Sequence, residues 1–554
     1  MNRKPSNLLN TNTMKKLILY RKYSIAIIFF FVAISSYSQP TLLKDINLGT
    51  NNGNPTYAFK FNNELLFSAQ DTNGNMELWK TDGTTVGTVL LKEIRQGTTG
   101  SNPSGYIEMN GIMYFVANDG IHGSELWKTD GTEIGTVLVK DINPYGGNAN
   151  IGNYAIFNNE LYFVADSATN NLSELWKTNG TENGTVLVKS FRPLSYYSSY
   201  TSNLIVSASG NELFFMSDDG PGFYLWKTDG TTAGTIKVKS LINSPYNKIG
   251  LFLNLNSFTY FTAYNSSGKQ SLWRTDGTTN GTIIFYNDIS ISSLSNNEKI
   301  VYNNKFYFSA NDQLSSGTEL WSSDGTLAGT QMVKDIKPGI VSSFPKYFFE
   351  LNNELYFQVS TSPGLEMWKT NGTEAGTQFI VDVNPGFVNS ILAATPIQEL
   401  NKFYFTGDDG TQKILWESNG TTAGTFPLYN LSESGIPLVS RVSYLNNKLF
   451  FTKETAATGI ELWSFNPTLS SSDIVLNDNL KVYPNPVSNI LNVETLLIGN
   501  YQLKIVNQLG QVVLEQKQNS STSSIDVSNL LKGLYFLVIT SENTELQTVK
   551  FIKK

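Results

Sequence analysis

Five aspartates, Asp82, Asp130, Asp229, Asp276 and Asp324, each open the same seven-residue phrase, DGTxxGT. An acid recurring in a fixed frame suggests a metal ligand or a proton donor. The same slot, however, is filled by Asn179, Asn371 and Asn419, which carry neither charge nor exchangeable acid proton. A position that accepts Asp or Asn alike asks only for a side-chain oxygen, as a turn does when that oxygen caps a nearby N–H. The stretch DTNGNME, residues 71–77, alternates oxygen-bearing side chains around a glycine like a short calcium loop. Its counterparts NDGIHGSE, DSATNNLSE and DDGPGFY do not keep that alternation, so a turn is the preferred reading. His122 is the one histidine and cysteine is absent, which excludes most Ser-His-Asp, Cys-His and zinc schemes. No phosphate loop, dinucleotide fingerprint or nucleophile elbow is present. The NGT triplets match a glycosylation sequon, but turn chemistry accounts for them. No catalytic, cofactor-binding or metal-binding residue is therefore assigned, and no cofactor is expected.

The phrase around these acids is what must be positioned. ELWKTDGTEIGTVLVKDI, residues 125–142, has close copies along the chain. All nine tryptophans mark equivalent places: Trp79, Trp127, Trp176, Trp226, Trp273, Trp321, Trp368, Trp416 and Trp463, spaced 47 to 50 residues apart. So regular a period denotes a repeat architecture. Each unit contains four short β-branched and aromatic runs, here named A to D; in the unit of Trp176 they are GNYAIFN, ELYFVAD, SELWKT and TVLVKS. A and B are joined by two residues such as Asn158–Asn159 or Asn110–Gly111, which tolerate the positive φ of a type I′ turn. C and D are joined by DGTxxGT. In ELWKT, neighbouring Leu and Trp point to opposite faces, so both faces must be covered. Four antiparallel strands per unit of nearly fifty residues, apolar on both sides, predict a nine-bladed β-propeller over residues 39–465, with tryptophan as the wedge between blades. The ninth unit lacks a D strand, and LLKDIN (42–47) matches the D-strand phrase LVKDIN (138–143). The N-terminal residues 41–47 are thus expected to close the ring, antiparallel to 460–465.

Both ends differ from the repeats. Residues 1–38 carry Arg3, Lys4, Lys15, Lys16, Arg21 and Lys22 with no acid, then IAIIFFFVAI and small residues, the layout of a secretory signal peptide too short to span a bilayer. The chain has 40 basic and 46 acidic side chains, and removing that basic leader makes it more acidic still. This is a poor balance for nucleic-acid binding. No transmembrane segment is expected in the mature chain. A polar linker, 466–479, precedes a C-terminal segment, 480–554, whose alternating strands suit a small Ig-like β-sandwich.

The repeat resembles the ELWxxDGTxxGT repeats of secreted and surface proteins of bacteria, which implies no common biochemical activity. The tail resembles the type A C-terminal sorting domain of the type IX secretion system of Bacteroidetes. The matching elements are Tyr483-Pro484-Asn485-Pro486, the NQLG turn ending at Gly510, LLKGLY with Gly533 and Tyr535, and the basic end Lys550, Lys553 and Lys554. That resemblance implies Sec-dependent passage to the periplasm, then delivery by the type IX machinery to the cell surface or beyond.

Recognition is expected on one face. The A–B and C–D turns are nearly uniform, whereas the B–C and D–A loops vary in length and content and lie together opposite them. Tyr145, Tyr196, Tyr197, Tyr200 and Tyr246 are candidate stacking residues in those loops. The expected function is a non-catalytic surface or secreted binding protein engaging glycan or protein; the alternative is a polysaccharide hydrolase or lyase on the same scaffold.

Overall fold

The computed structural model describes residues 40–554 apart from 57, 168–173, 192–203, 219–222, 242–249, 288, 292–297, 313–315, 362–363, 383–390, 409–412, 433–440, 468–479, 496–500, 508–510 and 542–543. The leader 1–38 and most of the expected linker lie outside the described residues. The chain divides into two compact units, with 41–464 in one and 465–554 in the other.

Within 41–464 the described residues form nine antiparallel sheets. Eight are built from consecutive A, B, C and D strands, as in Gly152–Phe157, Glu160–Ala165, Glu174–Thr178 and Val186–Ser190. Among the described residues helix is limited to short turns such as Gln398–Leu400, and none of these helices is long and apolar enough to cross a membrane. The A–B hairpins close on asparagines with φ of 50° and 64° at Asn158 and Asn159, and 47° and 57° at Asn303 and Asn304, the geometry the sequence predicts.

Leu and Trp of the C strand do serve opposite faces. Leu126 packs in one cluster with Trp176 of the next sheet, Leu175 with Trp226, and Leu225 with Trp273. Opposite each Leu–Trp step the D strand carries one extra residue, a β-bulge. The extra residue is Val139, Val188 or Val238, each buried. The bulge therefore turns one more apolar side chain inward than strict alternation allows.

The ninth sheet is completed by Thr41–Lys44, which pairs antiparallel with Gly459–Phe465 in the register Thr41↔Ser464, Leu42↔Trp463 and Lys44↔Leu462. Leu43 is the extra, buried residue of this strand, so it reproduces the D-strand bulge. Leu462 then shares a cluster with Trp79 of the first sheet, and Lys448 Nζ donates to Gly83 O at 2.9 Å. Lys128 Nζ makes the same bond to Gly180 O of its following sheet at 2.7 Å.

Three details depart from the expectation. The N-terminal strand ends at Lys44 rather than residue 47, because Asn47 N turns away to donate to buried Glu461 Oε1 at 3.0 Å. The sixth sheet has five strands, since Ser290–Ile291 extends it by pairing with Asn311 and Ala310. The fourth A strand is only Ile205–Val206.

The second unit is a separate pair of sheets. Leu480–Tyr483, Ile490–Thr495 and Thr522–Asp526 form one; Tyr501–Val506, Val512–Gln518, Gly533–Ser541 and Thr544–Lys553 form the other. Leu491, Leu503, Ile505, Leu537 and Phe551 are buried in its own core.

Candidate functional site

The recurring acids are turn atoms. Asp82 Oδ1 accepts from Thr84 N at 2.8 Å and from Thr84 Oγ1 at 2.7 Å, while Gly87 N donates to Thr84 Oγ1. Asn179 Oδ1 receives the same two bonds from Thr181, at 3.0 and 2.8 Å. Beneath the turn, Thr81 and Thr88 hydroxyls pair at 2.8 Å, as Thr178 and Thr185 do at 2.7 Å. The Thr84 bond holds the Asp82 carboxyl below the usual range, yet an amide performs the same task. Asp71 Oδ1 likewise accepts from Asn73 N and Asn75 N, closing a turn. Asp119 Oδ2 pairs with His122 Nδ1 at 2.6 Å and raises the histidine's pKa.

The sequence reading missed a set of buried carboxylates. The Glu of ELW lies at the start of the C strand and reaches the D–A loop that follows. Glu77 accepts from Ile94 N, Arg95 N, Ser101 N and Ser101 Oγ. Glu319 accepts from Ile336 N, Ser343 N and Ser343 Oγ. Glu125 accepts from Ile142 N and Asn143 N, but Ala149 stands where Ser101 and Ser343 stand. Burial pushes the Glu125 and Glu461 carboxyls up to about 7. The signal was a charged residue at a fixed place in an otherwise apolar strand.

These carboxylates shape four D–A loops of equal length, at 45–55, 93–103, 141–151 and 335–345, so positions can be compared directly. One position is left-handed in all four: Gly49, Gly97 and Gly339 have φ of 83°, 109° and 92°, and Tyr145 has 68°. Five residues on, Asn54, Asn102 and Asn150 have φ of 44°, 50° and 49°, and Phe344 has 45°. At the bulge opening the A strand, Gly105 and Asn153 have φ of 67° and 54°, and Tyr347 has 55°. Three aromatics thus occupy left-handed backbone where sister units use Gly or Asn, a conformation that costs a bulky side chain roughly 1–3 kcal/mol. Tyr145 is fully exposed and so recovers nothing by packing. Tyr196, Tyr197, Tyr200 and Tyr246 lie outside the described residues.

Seven of the nine tryptophans are nearly fully buried, with Trp368 and Trp463 half-buried. In the tail, Asn485 Oδ1 accepts from Ile552 N at 2.9 Å and its Nδ2 donates to Lys550 O, tying the Tyr483–Pro486 turn to the last strand. Tyr535 is buried against Phe551 and donates to Leu531 O. Gly533 opens the long strand ending at Ser541; Gly510 lies outside the described residues.

Residues 481–554 match the family described as the secretion system C-terminal sorting domain. The chain is accordingly exported through type IX secretion to the cell surface or the extracellular space. A curated relative, an ulvan lyase from Nonlabens ulvanivorans, is 31% identical over 91 residues, which is 16% of this chain and 17% of that protein. The chain thus matches only a small part of that relative's length. Among solved structures, a puromycin hydrolase is 10% identical with a TM-score of 0.37, over 65% of this chain and 59% of that one. Prolyl oligopeptidase B from Galerina marginata is also 10% identical with a TM-score of 0.37, over 72% and 56%.

Proposed function

We propose that this chain is an exported, non-catalytic binding protein, built as a nine-bladed β-propeller whose D–A and B–C loops form the recognition face. The observation that carries this reading is the placement of Tyr145, Phe344 and Tyr347 in left-handed backbone that sister units give to Gly or Asn. A scaffold has no use for that strain, whereas a contact surface does. The pairing of Thr41–Lys44 with the ninth sheet, and the packing of Leu462 on Trp79, support closure of the ring. The nine tryptophans would then be structural wedges between blades, and the tail the part that engages the secretion machinery. Glycan or protein is the partner class such a face suits.

The short match to an ulvan lyase favours a second reading, a polysaccharide hydrolase or lyase on the same scaffold. A screen of the full chain against a polysaccharide panel separates the two, scoring both retention and release of reducing or unsaturated ends. We expect no product release above buffer; sustained release from any polymer would overturn the binding reading in favour of the enzyme.

A further inference from the structure

We infer that the D–A loop between the sixth and seventh sheets is the docking site for a polypeptide partner that presents apolar side chains beside a carboxylate. This rests on the binding-protein reading and narrows it to one loop and one ligand class.

The internal repeat supplies the control. Ile340 and Val341 stand where the other three equal-length loops have Thr50, Thr98 and Gly146, then Asn51, Thr99 and Gly147. Ile340 is 86% exposed and Val341 54%. Phe344, 46% exposed, replaces the left-handed asparagines, and Tyr347 replaces Gly105 and Asn153. The loop backbone is otherwise unchanged, since Phe344 N donates to Thr318 O at 3.1 Å just as Asn102 N donates to Met76 O at 3.0 Å. Each sister asparagine also makes a side-chain bond from its Nδ2: Asn54 to Gln70 Oε1, Asn102 to Gly100 O, and Asn150 to Asp166 Oδ2. A phenylalanine forfeits that bond as well as accepting the strained φ. Four changes toward apolar residues, two of them conformationally costly, thus fall within eight residues, and the fold of the sister loops does without them.

The chemistry of the patch selects its partner. Its serines are engaged at the start of the preceding C strand, Ser342 Oγ accepting from Thr318 N and Ser343 Oγ donating to Glu319, while Asp335 Oδ2 accepts from Gly339 N and its Oδ1 is buried rather than outward. What remains outward is aliphatic and aromatic surface beside two cations, Lys337 and Lys346, the latter with its Nζ 5.3 Å from the Tyr347 ring centroid. Sugars are held by flat aromatic faces with directed hydrogen bonds, which branched aliphatics cannot supply. Apolar side chains from a polypeptide suit Ile340 and Val341, and an adjacent Asp or Glu suits the lysines.

The test pans a phage-displayed random dodecapeptide library on the full chain. It then compares wild type with a variant carrying the sister residues, Ile340→Thr, Val341→Thr, Phe344→Asn and Tyr347→Asn. Expected are peptides combining apolar residues with Asp or Glu that bind wild type at least tenfold more tightly than the variant. The variant's melting midpoint should be equal or higher, because the substitutions relieve strain. Phe344→Asn alone should weaken the same peptides with the same sign on the midpoint. Absence of any peptide that distinguishes the two proteins would overturn the inference. A midpoint several degrees lower would overturn it by making the patch structural. Wild-type self-association abolished in the variant would reassign the patch to a second copy of this chain, and variant-sensitive binding of phosphatidylglycerol vesicles or of alginate would reassign it to lipid or glycan. Polysaccharide turnover would instead sink the binding reading itself, whichever way the peptides behave.

Discussion

Glu77 and Glu125 occupy the same place in neighbouring units, but Glu77 has two donors more, the N–H and the hydroxyl of Ser101. The Ser101 hydroxyl donates to the first at 2.5 Å, whereas Ala149 has no hydroxyl and its N–H goes to Ser124 O. Burial raises the Glu125 carboxyl to about 7 from an ordinary value of 4.5. The native state therefore binds that proton more tightly than the unfolded chain. Stability contributed at this site is highest in mild acid and declines as pH rises from about 4.5 through 7, by up to about 3 kcal/mol for such a displacement. Ala149→Ser should lower that pKa, stabilise the chain at pH 7–8, and leave it little changed at pH 4.5. Melting midpoints of the two proteins across pH 4.5–8 measure this, and parallel curves would contradict it. Only the recurring charge was legible beforehand: Glu of ELW reads as one more strand residue until the D–A loop is folded back over it.

At the scale of the element, the turns were legible because their chemistry is local. The asparagine pairs and DGTxxGT each carry their own φ requirement and hydrogen-bond partners within seven residues. Asp130 illustrates the point, accepting from Thr132 N and Oγ1 at 2.9 and 2.7 Å. Asp130→Asn should alter stability by less than about 0.5 kcal/mol, since Asn179 makes the same bonds, whereas Asp130→Ala should cost about 1 kcal/mol. Urea denaturation of both variants checks this, and an Asn as damaging as Ala would mean that charge matters there after all. The D-strand bulge was not legible. VLVK reads as plain alternation, and only pairing with the Leu–Trp step shows that Val139 is the additional inward residue. The strained aromatics were hidden for a related reason, because Tyr145 could be listed as a loop tyrosine but its φ could not. Once four loops of equal length are superposed in sequence, the glycine and asparagine columns would have flagged Tyr145 and Phe344.

At the scale of the whole molecule, the proposed ring closes on its own N-terminal strand. Each repeat leaves two apolar faces, so an open array would expose Trp79 at one end and Leu462 at the other. The N-terminal strand and the contacts of Lys448 and Leu462 with the first unit cover both. The sorting tail, with its own core, travels as a separate compact unit and delivers this scaffold outside the cell. The complete absence of cysteine makes the closure directly measurable. Thr41 and Ser464 are facing partners across the seam, and the Cα separation of an antiparallel pair lies within the reach of a disulfide. Thr41→Cys with Ser464→Cys, purified reduced and then oxidised at low concentration, should form an intrachain disulfide near completion. The product should stay monomeric and melt above its reduced form, because the link ties the N-terminal strand, and the chain that leads from it into the first sheet, to the ninth sheet. Thiols that remain free in the folded protein, or that react only between chains, would contradict the closed ring and with it the nine-bladed scaffold.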